Sequence, residues 1–323
     1  MRDFEWTEPD TIAGALDAAG EQTAFLAGGT TLVDLMKLQV MRPSRVVGIN
    51  RLPLTGIRVD AKGLRIGALT RMSEVAEHPE VTRAYPVIGR ALLLSASQQL
   101  RNMASMGGNL LQRTRCTYFR DTAEPCNKRD PGSGCAAIGG FNRGHAVLGT
   151  SSHCAATHAS DVAVALVALG ATVQLRDANG TRTVDLGSFY RLPGGTPHIE
   201  NTLRPGELIT RISVPHLAWA RNSTYLKIRD RQSYEFALTS AAVALHVRGR
   251  RIEGARVAVG GVGTTPWRLP RVEAALRGRP VGQRTFERAA ADAADGTRPL
   301  TYNAFKIPLL RRTLVRALMS LEP

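Results

Sequence analysis

A chain of 323 residues has room for two or three domains with real cores, and 43% hydrophobic with 21% charged residues is the balance of a soluble globular protein. The net charge of +15 comes from arginines scattered through every segment, and only five of the 42 basic residues are lysine. No block of like charge appears, which argues against nucleic acid and leaves a modest basic face for an acidic protein partner. The start MRDFEWTEPD lacks the basic-then-apolar order of a signal peptide, and no run of about 18 apolar residues occurs, so neither an export signal nor membrane insertion is expected.

In chain order, TIAGALDAAG (Thr11–Gly20) has helical spacing and a closing glycine, TAFL is a short strand, TLVDLMKLQV resumes helical spacing, and RVVGIN and LRIGAL read as strands. Between strand and helix, AGGTTLVDLMK places two glycines and two threonines. Such a turn lets backbone amides approach an anion while the helix start adds favourable electrostatics. A tight turn with a threonine N-cap explains Gly28 to Thr31 equally well. A helix is expected from about Tyr85 to Ser97, and SMGGNLLQRT forms a second glycine-rich turn at Met106–Asn109. Two such turns in one unit point to a dinucleotide cofactor, although neither GxGxxG nor GxxxxGK[ST] is present.

RCTYFRDTAEPCNKRDPGSGC then interrupts every periodic pattern. All four cysteines of the chain fall between Cys116 and Cys154, spaced C-x9-C, C-x8-C and C-x18-C. An irregular segment of about 40 residues inside a compact domain signals function or a cross-link. Clustering in a long chain argues against a disulfide framework, and the lack of CxxC fits poorly with zinc ribbons and thioredoxin-like redox motifs. Four thiolates can complete a zinc site or hold a [4Fe–4S] cluster, and spacing does not choose between them; buried free thiols are a further alternative. His145, His153 and His158 flank Cys154, where hydrogen bonding in a loop is the ordinary role of histidine. Asp161 follows a serine at a helix start and could cap amides. Lys227, in the strand YLKIRDR, faces solvent by default. No Ser/His/Asp set or paired catalytic carboxylates stand out, so no catalytic residue is assigned.

DVAVALVALGATVQL restores helix then strand, TRTVDLGSFY reads as strand then turn, and ELITRISVP ends a first unit near Pro215. From Thr224 come three strands, STYLKIRDR, FALTSAAVALHVRG and RIEGARVAVGGV, then the helices RVEAALRG and RTFERAAADAA. A final amphipathic helix offers Leu309, Leu310, Leu314 and Leu318 for one face.

Taken in order, AGGTTLVDLMK, LRIGALT, ASQQLRNMASMGGNLLQRT, HASDVAVALVALGA and KIRDR resemble the FAD-binding subunit of the xanthine dehydrogenase, or molybdenum hydroxylase, family over nearly the whole chain. RTRCTYFRDTAEPCNKRDPGSGC, NRGHAVLG and a fourth cysteine are similar to its periplasmic aldehyde oxidase branch, where an extra loop binds a [4Fe–4S] cluster. The resemblance implies an α+β fold. A two-part FAD-binding module of the vanillyl-alcohol-oxidase type would span 1–60 and 61–218, with the iron–sulfur insertion at about 113–156 and an α+β C-terminal domain at 219–323.

By the same resemblance, Leu26, Ala27, Gly28, Gly29, Thr30, Thr31 and Leu32 would wrap the FAD pyrophosphate. Ser105, Gly107, Gly108 and Asn109 would line a second contact, with Arg113 near the cofactor. Asp161 would meet its ribityl or ribose side, and Lys227 would approach the flavin ring. Cys116, Cys126, Cys135 and Cys154 would ligate the cluster. Ser105 and Ala159 stand where the family often has Thr and Pro; the first change keeps the hydroxyl.

The implied role is an electron-transfer flavoprotein in a heterotrimer. A large molybdopterin-containing subunit would oxidise an aldehyde, a small subunit would carry two [2Fe–2S] clusters, and FAD would pass electrons to an external acceptor. Co-export with a signal-bearing partner would place it in the periplasm, the cytoplasm being the alternative. A hydroxybenzoyl-CoA reductase-like complex is the alternative within the class, and a zinc-stabilised, non-redox binding module the alternative outside it.

Overall fold

The computed structural model describes residues 1–322. Three sheets follow one another along the chain, which makes the fold α+β as expected. The first is parallel, with Arg45–Gly48 between Glu5–Thr7 and Thr23–Leu26. Parallel neighbours need crossovers, and the helices Ile12–Asp17 and Leu32–Lys37 supply them. The central strand carries buried Val46 and Val47, the continuous apolar run that a strand covered on both faces requires.

The second sheet is antiparallel and joins two hairpins, Ile57–Asp60 with Gly63–Gly67 and Thr172–Asp177 with Gly180–Asp185, through a central strand at Leu208–Pro215. Between Gly67 and Thr172 the chain leaves this sheet. Met72–Glu77, Pro86–Leu93 and Asp161–Ala168 return to cover it, with Leu64, Ile66, Val173 and Ile212 in their shared core. The third sheet is also antiparallel, in the order Trp267–Arg268, Arg251–Gly260, Thr239–Arg248, Ser223–Ile228. Pro270–Leu276, Gln283–Ala291 and Lys306–Met319 contribute helices to its core. Among the described residues, no helix is long and apolar enough to cross a membrane.

Several local expectations shift. The helix expected over Tyr85–Ser97 runs only over Pro86–Leu93, because Ala96 takes a left-handed φ of +48° and Ser97 then caps a new helix, Gln98–Met103. The second glycine turn is itself a short helix, Met106–Leu110, whose Gly108 amide donates to Ser105 Oγ. After Asp185, the expected turn is a helical one at Leu186–Phe189, with the Asp185 carboxylate accepting its first amides. In the last helix Leu310, Leu314 and Leu318 are buried at i, i+4 spacing, while Leu309 sits on the flank.

Two charged residues join the second and third sheets. Lys227 is buried, contrary to its solvent-facing default, and its Nζ lies 2.8 Å from Asp161 Oδ2. Tyr225 Oη donates to the other carboxylate oxygen at 2.7 Å, Ser95 Oγ to Oδ2 at 3.1 Å, and Lys227 also donates to the Leu94 carbonyl. Ser160, not Asp161, caps the helix, its Oγ accepting from the Ala163 amide. Removing one partner of a buried pair strands the other, at a typical cost of about 3–5 kcal/mol. Asp161→Ala is therefore expected to lower the urea midpoint sharply, and the double variant Asp161→Ala/Lys227→Met to recover part of the loss. A single variant as stable as the wild type would contradict this account.

Candidate cofactor site and cysteine cavity

The strand Thr23–Leu26 delivers the chain into a turn at 27–31, from which the helix Leu32–Lys37 departs. Gly28 lies flat against the Met103 carbonyl, and a Cβ there would fall 1.9 Å from that oxygen. Gly29 has φ +73°, a left-handed backbone that glycine adopts without strain. Thr31 makes no side-chain cap, so its hydroxyl stays free for Arg115 Nη2 at 3.4 Å.

Close packing at Met103 brings the second glycine segment beside the first. Arg71 Nη1 donates to the Met103 carbonyl, the Met72 amide to Ala104 O, and the Gly107 amide to Ala68 O. Asn109 is buried, its Oδ1 taking the Ser160 hydroxyl. The structure thus unites Leu26 to Leu32 with Ser105, Gly107, Gly108 and Asn109. Asp161 and Lys227 instead satisfy one another in their own buried network. Arg113 turns toward the insertion, where it pairs with Glu200 at 3.4 Å and covers the Phe119 ring at 4.6 Å. Burial opposes ionisation of Glu200, but Arg113 and Lys128 prevail and hold its carboxyl below the usual range.

Sequence reasoning missed Arg115. Its guanidinium meets Thr31 on one side and covers the Phe236 ring, while Nη1 is buried with no hydrogen-bond partner. Burial, then the neighbouring Arg120, lowers its pKa. A buried cationic donor beside a glycine turn fits an anionic ligand group. Its only signal was its place before Cys116, lost among many arginines.

The four cysteines are free and line one small cavity together with Tyr118 and Phe119. An isolated antiparallel bridge pairs Cys126 with Cys135, and the Ala156 amide donates to Cys154 Sγ at 3.4 Å. Cys116 Sγ lies 3.2 Å from His145 Nε2. Burial pushes the Cys116 thiol up to about 12 and raises Cys135 and Cys154, so thiolates here need a positive partner. Among the described residues, no three His, Cys, Asp or Glu side chains converge closely enough to hold one metal ion.

Residues 2–217 match the FAD binding domain in molybdopterin dehydrogenase, and residues 224–320 match the CO dehydrogenase flavoprotein C-terminal domain. The chain belongs to the FAD-binding subunits of the molybdenum hydroxylases. It is 49% identical to the aldehyde oxidoreductase FAD-binding subunit PaoB of Escherichia coli, over 98% of both chains. The glyceraldehyde dehydrogenase medium chain of Sulfolobus acidocaldarius is 29% identical, over 86% of this chain and 82% of its own. A solved carbon monoxide dehydrogenase from Hydrogenophaga pseudoflava superposes with a TM-score of 0.76 at 25% identity, covering 99% of this chain and 97% of its own. The protein is accordingly the medium, FAD-binding subunit of a molybdenum-dependent aldehyde oxidoreductase or CO dehydrogenase-type complex. The alternative of a non-redox binding module falls with this assignment.

In this flavoprotein subunit the cysteine segment is strapped at both ends. Arg120 grips Asp34 through two hydrogen bonds of 2.8 and 2.9 Å, and Leu35 packs with Phe119 and Cys126. The helix that leaves the glycine turn therefore also packs against Phe119 and Cys126, two of the residues that line the cysteine cavity. Beyond Cys135, Asn303 Nδ2 donates to the His145 and Ala146 carbonyls, and Lys306 Nζ donates to Gly144 O at 3.0 Å and Gly261 O at 2.7 Å. Lys306 is fully enclosed; burial, then Arg143, brings its pKa down to about 7.

Lys306 supplies a pH test. Its folded pKa lies below that of the unfolded chain, so between the two the unfolded state binds more protons and stability rises with pH. From pH 7 to 9 the wild type should gain on Lys306→Met by at most about 1.4 kcal/mol per pH unit. Parallel stability profiles from urea titrations would refute the assignment.

Proposed function

We propose that this subunit carries a [4Fe–4S] cluster beside its FAD and serves a complex in which a molybdopterin-containing large subunit oxidises aldehydes. Four free cysteines on one cavity, Cys126 and Cys154 buried and Cys116 and Cys135 half-buried, with Cys116 and Cys126 packed beside Leu35 of the helix that follows the FAD-type glycine turn, carry the reading. Thiols spread around a cavity without converging on one ion suit a cluster, whose irons each take one protein sulfur. Near identity in length and 49% sequence identity to an aldehyde oxidoreductase subunit favour aldehydes as the substrate class. Names such as "medium chain" and "FAD-binding subunit" among relatives support assembly with large and small partners, the small one with two [2Fe–2S] clusters. An external acceptor would receive the electrons.

When bound, FAD and the cluster supply the redox chemistry, while the protein positions them. Amides of Gly28 to Thr31 and the spare Arg115 Nη1 would hold the pyrophosphate, and Ser105, Gly107, Gly108 and Asn109 would line the other contact. Asp161, Lys227 and Arg113 would act one layer out, by fixing the helices and strand that frame the flavin. Cys116, Cys126, Cys135 and Cys154 would ligate the cluster.

Iron, flavin and molybdenum analysis of the co-purified complex tests this. The wild type should show flavin absorbance and about eight irons per trimer, falling to about four in Cys126→Ala/Cys135→Ala as only the small subunit's clusters remain. An iron count that the cysteine variant does not move would sink the cluster assignment. Gly28→Ala, whose Cβ collides with Met103 O, should lose flavin while keeping iron; full flavin occupancy would remove the turn from the site.

A further inference from the structure

The three histidines near the cysteines differ in what they touch. His153 is exposed and bonds Ser152 Oγ through Nδ1. His158 meets Tyr190 edge-on at 4.5 Å, and its Nδ1 accepts the Ser160 amide. The His145 ring makes its one polar contact with Cys116, Nε2 to Sγ at 3.2 Å.

His145 is also held in place. Its amide donates to Asn142 O, its carbonyl accepts from Asn303 Nδ2, and the preceding Gly144 carbonyl accepts from Lys306 Nζ. The remaining ring atom, Nδ1, is buried and has no hydrogen-bond partner. A proton on Nδ1 would be a buried orphan donor, a rare and costly arrangement, whereas a proton on Nε2 points at sulfur. A ligand thiolate can only accept. The tautomer is therefore set by the site: Nε2–H donates and Cys116 Sγ accepts.

We infer that His145 is a positioning residue that tunes the cluster, its Nε2–H bond to Cys116 Sγ raising the reduction potential. The inference rests on the cluster reading above. One electron added to the cluster increases negative charge on its ligand sulfurs, and a fixed N–H aimed at one of them stabilises the reduced form. No proton is transferred and no bond is broken. The four ligands thereby become unequal, with the Cys116 corner carrying a neutral donor from the C-terminal half of the insertion.

The test is a redox titration of the whole complex followed through the cluster's electron paramagnetic resonance signal. His145→Phe keeps a ring and removes the donor; at the wild-type midpoint its reduced-to-oxidised ratio should fall about tenfold, a shift of about 59 mV for a one-electron couple. His145→Gln, which restores an N–H, should recover part of that shift, with iron and flavin contents unchanged. A His145→Phe complex with full iron and the wild-type midpoint overturns the inference. Should that variant lose iron, resonance Raman of the wild type decides: an Fe–S(Cys) band that moves on exchange into deuterium oxide supports the hydrogen bond, and one that does not move overturns it. Failure of the cluster reading is distinct, since the wild type would then hold only the small subunit's irons.

Discussion

A segment that owns no sheet and no core of its own must be held by its neighbours, and the site depends on how residues 113–156 meet that constraint. Side-chain amides do much of the work that a sheet would do. Asn127 Oδ1 accepts the Gly132 and Gly134 amides, and its Nδ2 reaches the His153 carbonyl across to the Cys154 side of the cavity. Asn142 Nδ2 gathers the Ala137 and Gly140 carbonyls while its Oδ1 takes the Tyr302 amide. Arg129 closes the first lobe by donating to the Tyr118 and Phe119 carbonyls. Because buried backbone polar groups must find partners, these residues determine where each sulfur can stand.

The same segment joins parts of the molecule that would otherwise be separate. Its first half leans on the helix Leu32–Lys37, about 9 Å long, whose N-terminal end meets the glycine turn and whose flank meets Phe119 and Cys126. Burial is shared there with an ion pair: hydrogen bonds from Arg120 hold the Asp34 carboxyl below its usual range. Its second half runs into the C-terminal domain, where the Val147 and Leu148 amides both donate to Val262 O and Arg143 grips Asp230 with two bonds. The cysteine segment therefore touches the helix after the glycine turn on one side and the third sheet on the other.

Local features were legible in the amino-acid order. Strand, glycine turn and helix at Thr23 to Lys37, the clustered cysteines and the C-terminal run of strands then helices follow from spacing and residue type, while the α+β class of the whole chain came with the family resemblance. Features decided by partners far along the chain were hidden. Lys227 reads as solvent-facing until Asp161, 66 positions away, is placed beside it. Arg113 finds Glu200 at a separation of 87 and Lys306 finds Gly144 at 162, distances over which no periodicity carries information. The helix break at Ala96 escaped because nothing in LLLSAS forbids another turn; the left-handed residue appears only once Ser97 starts a differently directed helix.

Lys306 and Asn303 lie close to the end of the chain, yet they fasten carbonyls in the middle of the cysteine segment. A ribosome releases all four cysteines about 150 residues before it releases these two anchors. During that interval the segment lacks the two side chains that fasten its Gly144, His145 and Ala146 carbonyls. Synthesis order thus leaves the cysteine segment without these anchors until the final helix emerges, so truncation near the C-terminus would act first on a segment far from the missing residues in sequence.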